Sequence, residues 1–600
     1  MPTLDFKGKS FVYTHHLSVP FRELVVDAKK SELPKGAKPS LEDNLIIHGD
    51  NLHALKALLP IYAGKVNCIY IDPPYNTGTE GWCYNDNVRS PLMKEWLKKS
   101  ANPVEKDDME RHEKWLCMMW PRVKLLHELL ANDGVIFISI DDNEVHRLRE
   151  IMDEIFGLDK FTAQFTWKSR VSEDTRAKTG ISNDHEYILC YKKTEAIRFE
   201  GVEKEGAKFS NPDKDLRGAW RSADLTGLAT KEQRRNLHYD LINPETGINY
   251  GCPPKGWRYE PPSMDRLIAE KRILWPKEPT GRPRRKLFEE EISRTKNLSS
   301  VILSPSTRDG TKEINQILGD GAFDFPKPSE LLELLLSQVV DENSIVLDSF
   351  AGSATTAHAV IALNKKDGGN RKFILVEMED YADKLTAERV RRVINGYKFE
   401  GTQREELLRE PITLTALKNA GDLLEKANSF DLLDKHRFDR IAKAVEDGAL
   451  VVTGEKKITE KVEGLGGSFT FCTLGEEMSM DRLLAGDKLP SFDALAKYVF
   501  YTATGRTLAD VPKQKADGDG FIGETEFYRV HLYYRPEKKW LASNDAALTE
   551  QLVEKMLASN KEKKRLLVFA AAKFMSQKEL TRQGVEFCQL PYAIHRILGD

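Results

Sequence analysis

Asp72-Pro73-Pro74-Tyr75 follows the apolar run VNCIYI and breaks it with an acid, two prolines and an aromatic ring. Neither proline has an N–H, and each fixes its own φ. The carbonyl of Pro73 is thereby held beside the Asp72 carboxylate, an acceptor at the end of the preceding strand. Tyr75 adds a flat face. Two fixed acceptors and a stacking surface suit a planar ring that carries an exocyclic NH2.

A second constellation lies far along the chain. SIVLD runs into SFAGSATT, so a strand ending at Asp348 meets a loop of Phe350, Ala351, Gly352, Ser353 and Ala354, then a helix opening with Thr355 and Thr356. Small residues let a ligand approach the backbone, and a turn of this kind binds nucleotides in doubly wound sheets. The next strand, FILVEM, ends at Glu377. An ionised carboxylate there is acceptor-only and can take both hydroxyls of a ribose.

Both motifs need a sheet to hold them. Before residue 193 the runs LIIHG, CIYID, GVIFISI, FTAQFTW and EYILCYKK read as strands, with helical patterns between most of them. SIVLDSF and KFILVEM follow much later. Two strands alone make a poor sheet, and parallel strands joined by helices need cover on both faces. The expected fold is α/β: one doubly wound, mostly parallel sheet of seven strands, interrupted by an insert. Pro121 is expected to kink or break the helical run HEKWLCMMWPRVKLLHELL.

Within the insert the β/α alternation vanishes, and RGAWR, KEQRRN, PPKGWRYEPP and GRPRRK cluster basic and aromatic residues. Residues 201–300 hold about 20 Lys/Arg against about 15 Asp/Glu. The expected organisation is an N-terminal arm (1–40), a first half of the core (41–194), the insert (195–322) and a second half of the core (323–400). A charged helical connector (401–449) and a C-terminal mixed α/β domain (450–600) follow.

The totals agree with such a chain. Its 600 residues exceed one core, and a net charge of −3 announces no nucleic-acid partner globally, so any basic surface must be local. The seven cysteines form no CxxC pair, which argues against a zinc site or disulfide framework and fits a reducing cytoplasm. No apolar run approaches the roughly 18 residues of a membrane span, and MPTLDFKGKS has no signal-peptide pattern. No GxxxxGK[ST] loop occurs.

DPPY together with the later F-x-G-x-x-x-T loop resembles the S-adenosylmethionine-dependent amino-methyltransferases of DNA. The order, with the DPPY half preceding the cofactor half and a recognition insert between, resembles their β class, a circularly ordered Rossmann-like fold. LIIHGDN, NDGVIFISIDDNEV, NDHEYILCYKK, FPKP and FILVEMEDY are especially similar to the modification (Mod) subunits of type III restriction systems. The resemblance covers roughly residues 40–400; YVFYTATGRT and EFCQLPY match more loosely.

That resemblance implies methyl transfer from S-adenosylmethionine to the N6 amino group of an adenine flipped out of double-stranded DNA. Asp72, Pro73, Pro74 and Tyr75 would surround the target amine. Asp348, Phe350, Ala351, Gly352, Ser353, Thr355 and Glu377 would hold the cofactor, with Glu377 on the ribose. Asp50 would receive the cofactor's adenine amine, although it also suits the N-cap of the next helix. Lys327 and Pro328 would lie by the methionine end. No metal is expected, because a sulfonium methyl is already activated. Arg221, Arg234, Arg235, Arg282, Arg284, Arg285 and Lys286 are the candidate DNA contacts. A homodimer is implied, as is a separate helicase–nuclease restriction subunit. Two alternatives stand beside this reading: N4-cytosine methylation, where the family usually has Ser in place of Asp72, and a catalytically silent DNA-binding subunit of a defence complex. The loop carries Ala354 where many relatives have Gly, a small change unless φ there is positive.

Overall fold

The computed structural model describes residues 3–78, 111–175, 180–203, 209–291, 295–413, 416, 418–434, 436–446, 448–477, 489–513 and 518–590. Cys83, and Pro591 and Tyr592 of the EFCQLPY run, lie outside the described residues. Compactness divides the chain into a larger unit, Met1–Arg198 with Ser299–Asp600, and a smaller one, Phe199–Leu298.

The larger unit is organised by one ten-stranded sheet. Its strands, in chain order, are β1 (Arg22–Glu32), β2 (Leu45–His48), β3 (Val66–Ile71), β4 (Leu130–Ile140), β5 (Phe161–Trp167), β6 (Glu186–Lys192), β7 (Val301–Ile302), β8 (Ile345–Asp348), β9 (Lys372–Glu377) and β10 (Phe469–Glu477). Across the sheet they lie in the order β1-β10-β2-β9-β8-β3-β4-β6-β5-β7. All seven expected strands are present in it. The count is corrected from seven to ten, because β1 and β10 extend one edge and β7 the other. β8 pairs in parallel with β3, and β9 with both β8 and β2. The late strands therefore enter the sheet between two early ones. β6 runs antiparallel to both β4 and β5.

The principal helices here are α1 (Asn51–Tyr62), α2 (Arg111–Leu129), α3 (Val145–Phe156), α4 (Thr307–Leu318), α5 (Ser329–Leu336), α6 (Thr355–Asp367) and α7 (Glu388–Asn395). Their apolar stripes bury Leu55, Leu58, Trp115, Trp120, Leu126 and Ile151 together with Ile69, Ile136 and Ile138 of the sheet. Burial of apolar surface on this scale is the main force holding the strand edges in register. α2 does not break at Pro121; it runs through it, and the guanidinium of Arg122 donates by Nη1 to the Met118 carbonyl at 2.8 Å.

Three expected boundaries are corrected. The N-terminal arm is partly sheet, since β1 pairs antiparallel with β10 from Arg22 to Glu32. The supposed helical connector is mainly a three-stranded antiparallel sheet of Gly396–Pro411, Ala449–Glu463 and Arg440–Glu446, with one helix at Ala420–Leu433. Glu, Arg and Leu favour helices, but propensity is a weak prior and long-range pairing overrides it. The C-terminal region lends β10 to the central sheet. Its remainder builds a four-stranded sheet of Phe521–Glu524, Tyr528–Tyr533, Arg565–Ala570 and Val585–Gln589.

The smaller unit is narrower than the expected insert, for residues 299–322 return to the larger unit. It holds a three-stranded sheet of Trp220–Asp224, Arg284–Phe288 and Ile273–Leu274 over a small core of Leu225, Leu241, Trp257, Met264 and Ile273. Among the described residues no helix is long and apolar enough to cross a membrane.

Candidate active site

Strand pairing brings the two motifs together. Val346 of β8 lies opposite Cys68 of β3 and Leu347 opposite Ile69, so the loops after both strands emerge side by side. Glu377 of β9 lies opposite His48 of β2, which places Asp50 at the same edge. Ligands of open α/β sheets sit outside the carboxyl ends of the strands, at the point where strand order reverses.

The DPPY turn is anchored from several sides. Trp115 Nε1 donates to the Pro74 carbonyl at 2.7 Å. Asn76, in a left-handed backbone with φ 61°, donates to the fully buried Glu144 at 2.5 Å. Tyr75 donates its hydroxyl to Glu186 Oε2 at 2.8 Å. Burial, followed by the charges of Asp72 and Glu186, holds the Tyr75 phenol well above its usual range, so it remains a donor. Lys327 reaches Asp72 Oδ2 at 2.7 Å and Glu186 Oε2 at 3.4 Å, and its ammonium stands 5.0 Å from the Tyr75 ring centre. Asp72 Oδ1 is buried and finds no hydrogen-bond partner among the described residues. An unpaired buried acceptor is costly unless something fills it.

The second loop is shaped for close approach. Gly352 has φ 48°, and a Cβ there would stand 3.3 Å from the Phe323 ring. Ala354 is also left-handed, at φ 64°, so the condition under which Ala was expected to matter is met, and it carries strain on the order of 1 kcal/mol. Ala351 donates its N–H to the Val376 carbonyl at 3.1 Å, Phe350 is half-buried, and Ser353 is buried. Glu377 accepts from the Gly352 N–H at 2.7 Å and the Glu379 N–H at 2.9 Å. Burial raises its carboxyl above the ordinary range. Asp348 accepts from the Phe350 N–H at 3.0 Å and from Thr356 at 2.5 Å, and burial pushes it up to about 7. Thr355 donates to the Lys327 carbonyl at 3.1 Å, and Pro328 precedes α5 as its N-cap.

Asp50 caps α1, accepting from the N–H groups of Leu52 at 2.9 Å and His53 at 3.3 Å. Its other oxygen lies 3.7 Å from Arg122. The capping role is thus present at the same residue that faces the ligand edge.

Several contributors were not anticipated. Arg389 of α7 is fully buried and donates to the Ser353 carbonyl at 3.2 Å, to Thr355 at 2.9 Å and to Glu313 at 3.0 Å. Burial alone would raise Glu313, but His358 and Arg389 outweigh it and hold the carboxyl down to about 2. Gly310 of α4 has the 326–328 backbone packed directly on it, so a Cβ would lie 2.9 Å from Pro328 N and nearer still to the Pro326 carbonyl. Glu186 heads an otherwise apolar strand in the run NDHEYILCYKK, which is the one signal that could have revealed it.

In the smaller unit, Arg221, Arg234, Arg235, Arg282 and Arg284 are exposed. Arg284 donates to Ser222 Oγ at 2.6 Å. Arg285 is half-buried and bonded to the Tyr259 hydroxyl. Lys286 corrects the expectation for a DNA contact. It is buried, paired with Asp213 and, at 3.0 Å, with Asp215. Alternation along Arg284–Phe288 puts it on the face shared with Trp220, whose ring it overlies at 5.2 Å.

The family described as DNA methylase matches residues 66–388, a span that holds both motifs. The StyLTI Mod subunit, a type III restriction-modification protein of Salmonella typhimurium, is 33% identical over 444 residues, covering 72% of this chain and 65% of that one. The EcoP15I Mod subunit of Escherichia coli is 31% identical, covering 63% of this chain and 64% of that one. The EcoPI Mod subunit of Escherichia phage P1 is 33% identical, covering 64% of each. The chain therefore spans just under two thirds of the length of these relatives. With a match over more than half its residues, across the sheet and both edge loops, the chain belongs to the DNA methylase family.

Proposed function

We propose that this protein methylates the N6 amino group of adenine in duplex DNA, using S-adenosylmethionine, as the modification component of a restriction or defence system. The observation that carries the reading is Asp72 Oδ1: a buried acceptor without a partner among the described residues, on a proline-stiffened turn beside a nucleotide loop. The residues present fit the cofactor. Gly352 leaves the loop backbone open, and the Glu377 carboxylate stands over it, able to accept from a ribose. Bound there, the cofactor supplies a methyl group on a sulfonium, ready for transfer to nitrogen.

The chain's own residues make that nitrogen reactive. An adenine amine is a poor nucleophile because its lone pair is delocalised into the ring. Asp72 and the Pro73 carbonyl accept its two N–H bonds and favour a tetrahedral nitrogen with a localised pair. These bonds strengthen as the nitrogen gains positive charge, so they stabilise the transition state more than the ground state. Asp72 is also the first acceptor for the proton the alkylated nitrogen sheds. Tyr75 stacks on the base, which must leave the duplex to reach the site. The exposed arginines of the smaller unit contact DNA. A homodimer, a separate restriction subunit and a cytoplasmic setting belong to the same reading, the last supported by six free cysteines among the described residues.

The test is incubation of purified protein with unmethylated genomic DNA and S-adenosylmethionine, followed by digestion and mass spectrometry of nucleosides, beside Asp72→Ala. N6-methyladenine that disappears in the variant is the expected result. N4-methylcytosine would overturn the base assignment. Absence of both cofactor binding and methylation would sink the reading.

A further inference from the structure

Lys327 is expected, by resemblance, at the methionine end of the cofactor. The structure gives its ammonium a different set of neighbours. The side chain is buried, 9% exposed, and lies between two carboxylates, 2.7 Å from Asp72 Oδ2 and 3.4 Å from Glu186 Oε2. Burial would lower its pKa, but the two carboxylates outweigh burial and hold it above the usual lysine range. It is therefore a permanent cation inside the pocket.

We propose that Lys327 and Glu186 are a pair of positioning residues for the target amine. The proposal rests on the methyltransfer reading above. Lys327 engages one oxygen of Asp72 and pins the carboxylate plane, so that Oδ1 alone faces the incoming N–H. Among the described residues Oδ1 has no hydrogen-bond partner while Oδ2 is satisfied, and that contrast is the mark of the division. A carboxylate free to rotate would offer its acceptor in many directions, and misplacement by about 1 Å can lower a rate about 100-fold.

Glu186 answers the difficulty this arrangement creates. A lysine cation next to a nitrogen that becomes positive would oppose the reaction. Glu186 balances it, and the three groups together leave the pocket with a net negative charge, which suits both a sulfonium and an alkylating amine. The same carboxylate takes the Tyr75 hydroxyl at 2.8 Å. One residue thus fixes the stacking ring and the cation that fixes the acceptor. Glu186 can do so because β6 runs antiparallel to β4, which puts its first residue at the edge where the parallel strands end.

The experiment uses the full-length protein in two assays. Calorimetry measures the Kd of S-adenosylmethionine and of its neutral product S-adenosylhomocysteine. Single-turnover methylation of unmethylated genomic DNA, at saturating tritiated cofactor, measures chemistry. Lys327→Met is expected to bind the cofactor within about twofold of wild type while its rate falls about 100-fold. Lys327→Ala should regain rate with added ethylammonium, which a packing role would not allow. Glu186→Gln is expected to slow transfer and to erode the preference for the cationic cofactor over the neutral product severalfold. Loss of cofactor affinity in Lys327→Met with a normal rate at saturation would overturn the proposal and return the residue to the methionine end. A normal rate with normal affinity would overturn it as well. If the lysine variants do not fold, Glu186→Gln decides, and an unchanged preference ratio refutes the charge argument. A wild-type protein that binds cofactor yet methylates nothing fails at the earlier step, and the proposal falls with the function on which it rests.

Discussion

Replacing Gly310 with alanine should damage the active site from outside it. Gly310 sits inside α4, where alanine normally stabilises a helix by about 1 kcal/mol. Here the sign reverses. A Cβ at this position would stand 2.9 Å from Pro328 N and 3.0 Å from the Lys327 carbonyl carbon, and closer to the Pro326 carbonyl oxygen. These are backbone atoms flanked by two prolines and cannot swing aside. Comfortable heavy-atom contacts begin at about 3.5 Å, so the segment must retreat by roughly 0.5–1 Å. Overpacking of that kind costs about 1–3 kcal/mol, which offsets the helix gain and leaves a net loss of about 1 kcal/mol. The functional effect is larger. Lys327 rides on the displaced segment, and its 2.7 Å bond to Asp72 would lengthen to about 3.2–3.7 Å, the limit of the hydrogen-bond range or past it. A 10- to 100-fold fall in single-turnover methylation is expected, on the order of what such a displacement causes elsewhere. The control is Lys312→Ala on the exposed face of the same helix, which should leave the rate unchanged. Urea unfolding followed by tryptophan fluorescence checks stability, and tritium transfer to genomic DNA checks the rate. A Gly310→Ala protein that is more stable by about 1 kcal/mol and methylates normally would refute the reasoning.

Other outcomes follow from the same geometry. Asp348 is pushed up to about 7 by burial while an unfolded aspartate titrates near its ordinary value, so the folded state holds a proton the unfolded state has lost. Stability should therefore decline as pH rises from about 4 to 7, and Asp348→Asn should exceed wild type in urea midpoint at pH 9 but not at pH 4. Glu313, held down to about 2, has the opposite sign: its contribution is complete above the ordinary glutamate range and is lost as pH falls toward 2, which Glu313→Gln should abolish in an acid titration of the fold. Ala354→Gly should stabilise the protein by roughly 0.5–1 kcal/mol, because φ 64° is strained for alanine and free for glycine; a loss of stability would show that the buried methyl matters more. In the smaller unit, Lys286→Met should destabilise the fold by leaving Asp213 without its cation, while Asp215 keeps Arg217, whereas Arg234→Ala should keep the fold, weaken duplex binding and reduce its salt slope by about one.

Much of this protein was legible in its sequence. The seven strands around the two motifs declared themselves because each is a short apolar run closed by a turn or a charged residue, and apolar patterning is local information. Asp72-Pro73-Pro74-Tyr75 and the Gly352 loop were legible for the same reason: their local shape depends on neighbours in the chain. What the sequence could not determine was direction and partnership. EYILCYKK reads as a strand whichever way it runs, and only its antiparallel pairing with β4 brings Glu186 to the ligand edge. Lys286 and Arg284 look equivalent in GRPRRK and share one face of the strand, yet Lys286 is buried against Asp213 and Asp215 while Arg284, two residues nearer the strand's start, is exposed. The ribbon after residue 395 was misread because its composition favours helix, while the hydrogen bonds that override it come from a strand some fifty residues away. Lys327 lies 255 positions from Asp72 in the chain and 2.7 Å from it in space. The chain alone thus carried the local shape of each motif, and the tertiary fold alone decided which charges would meet.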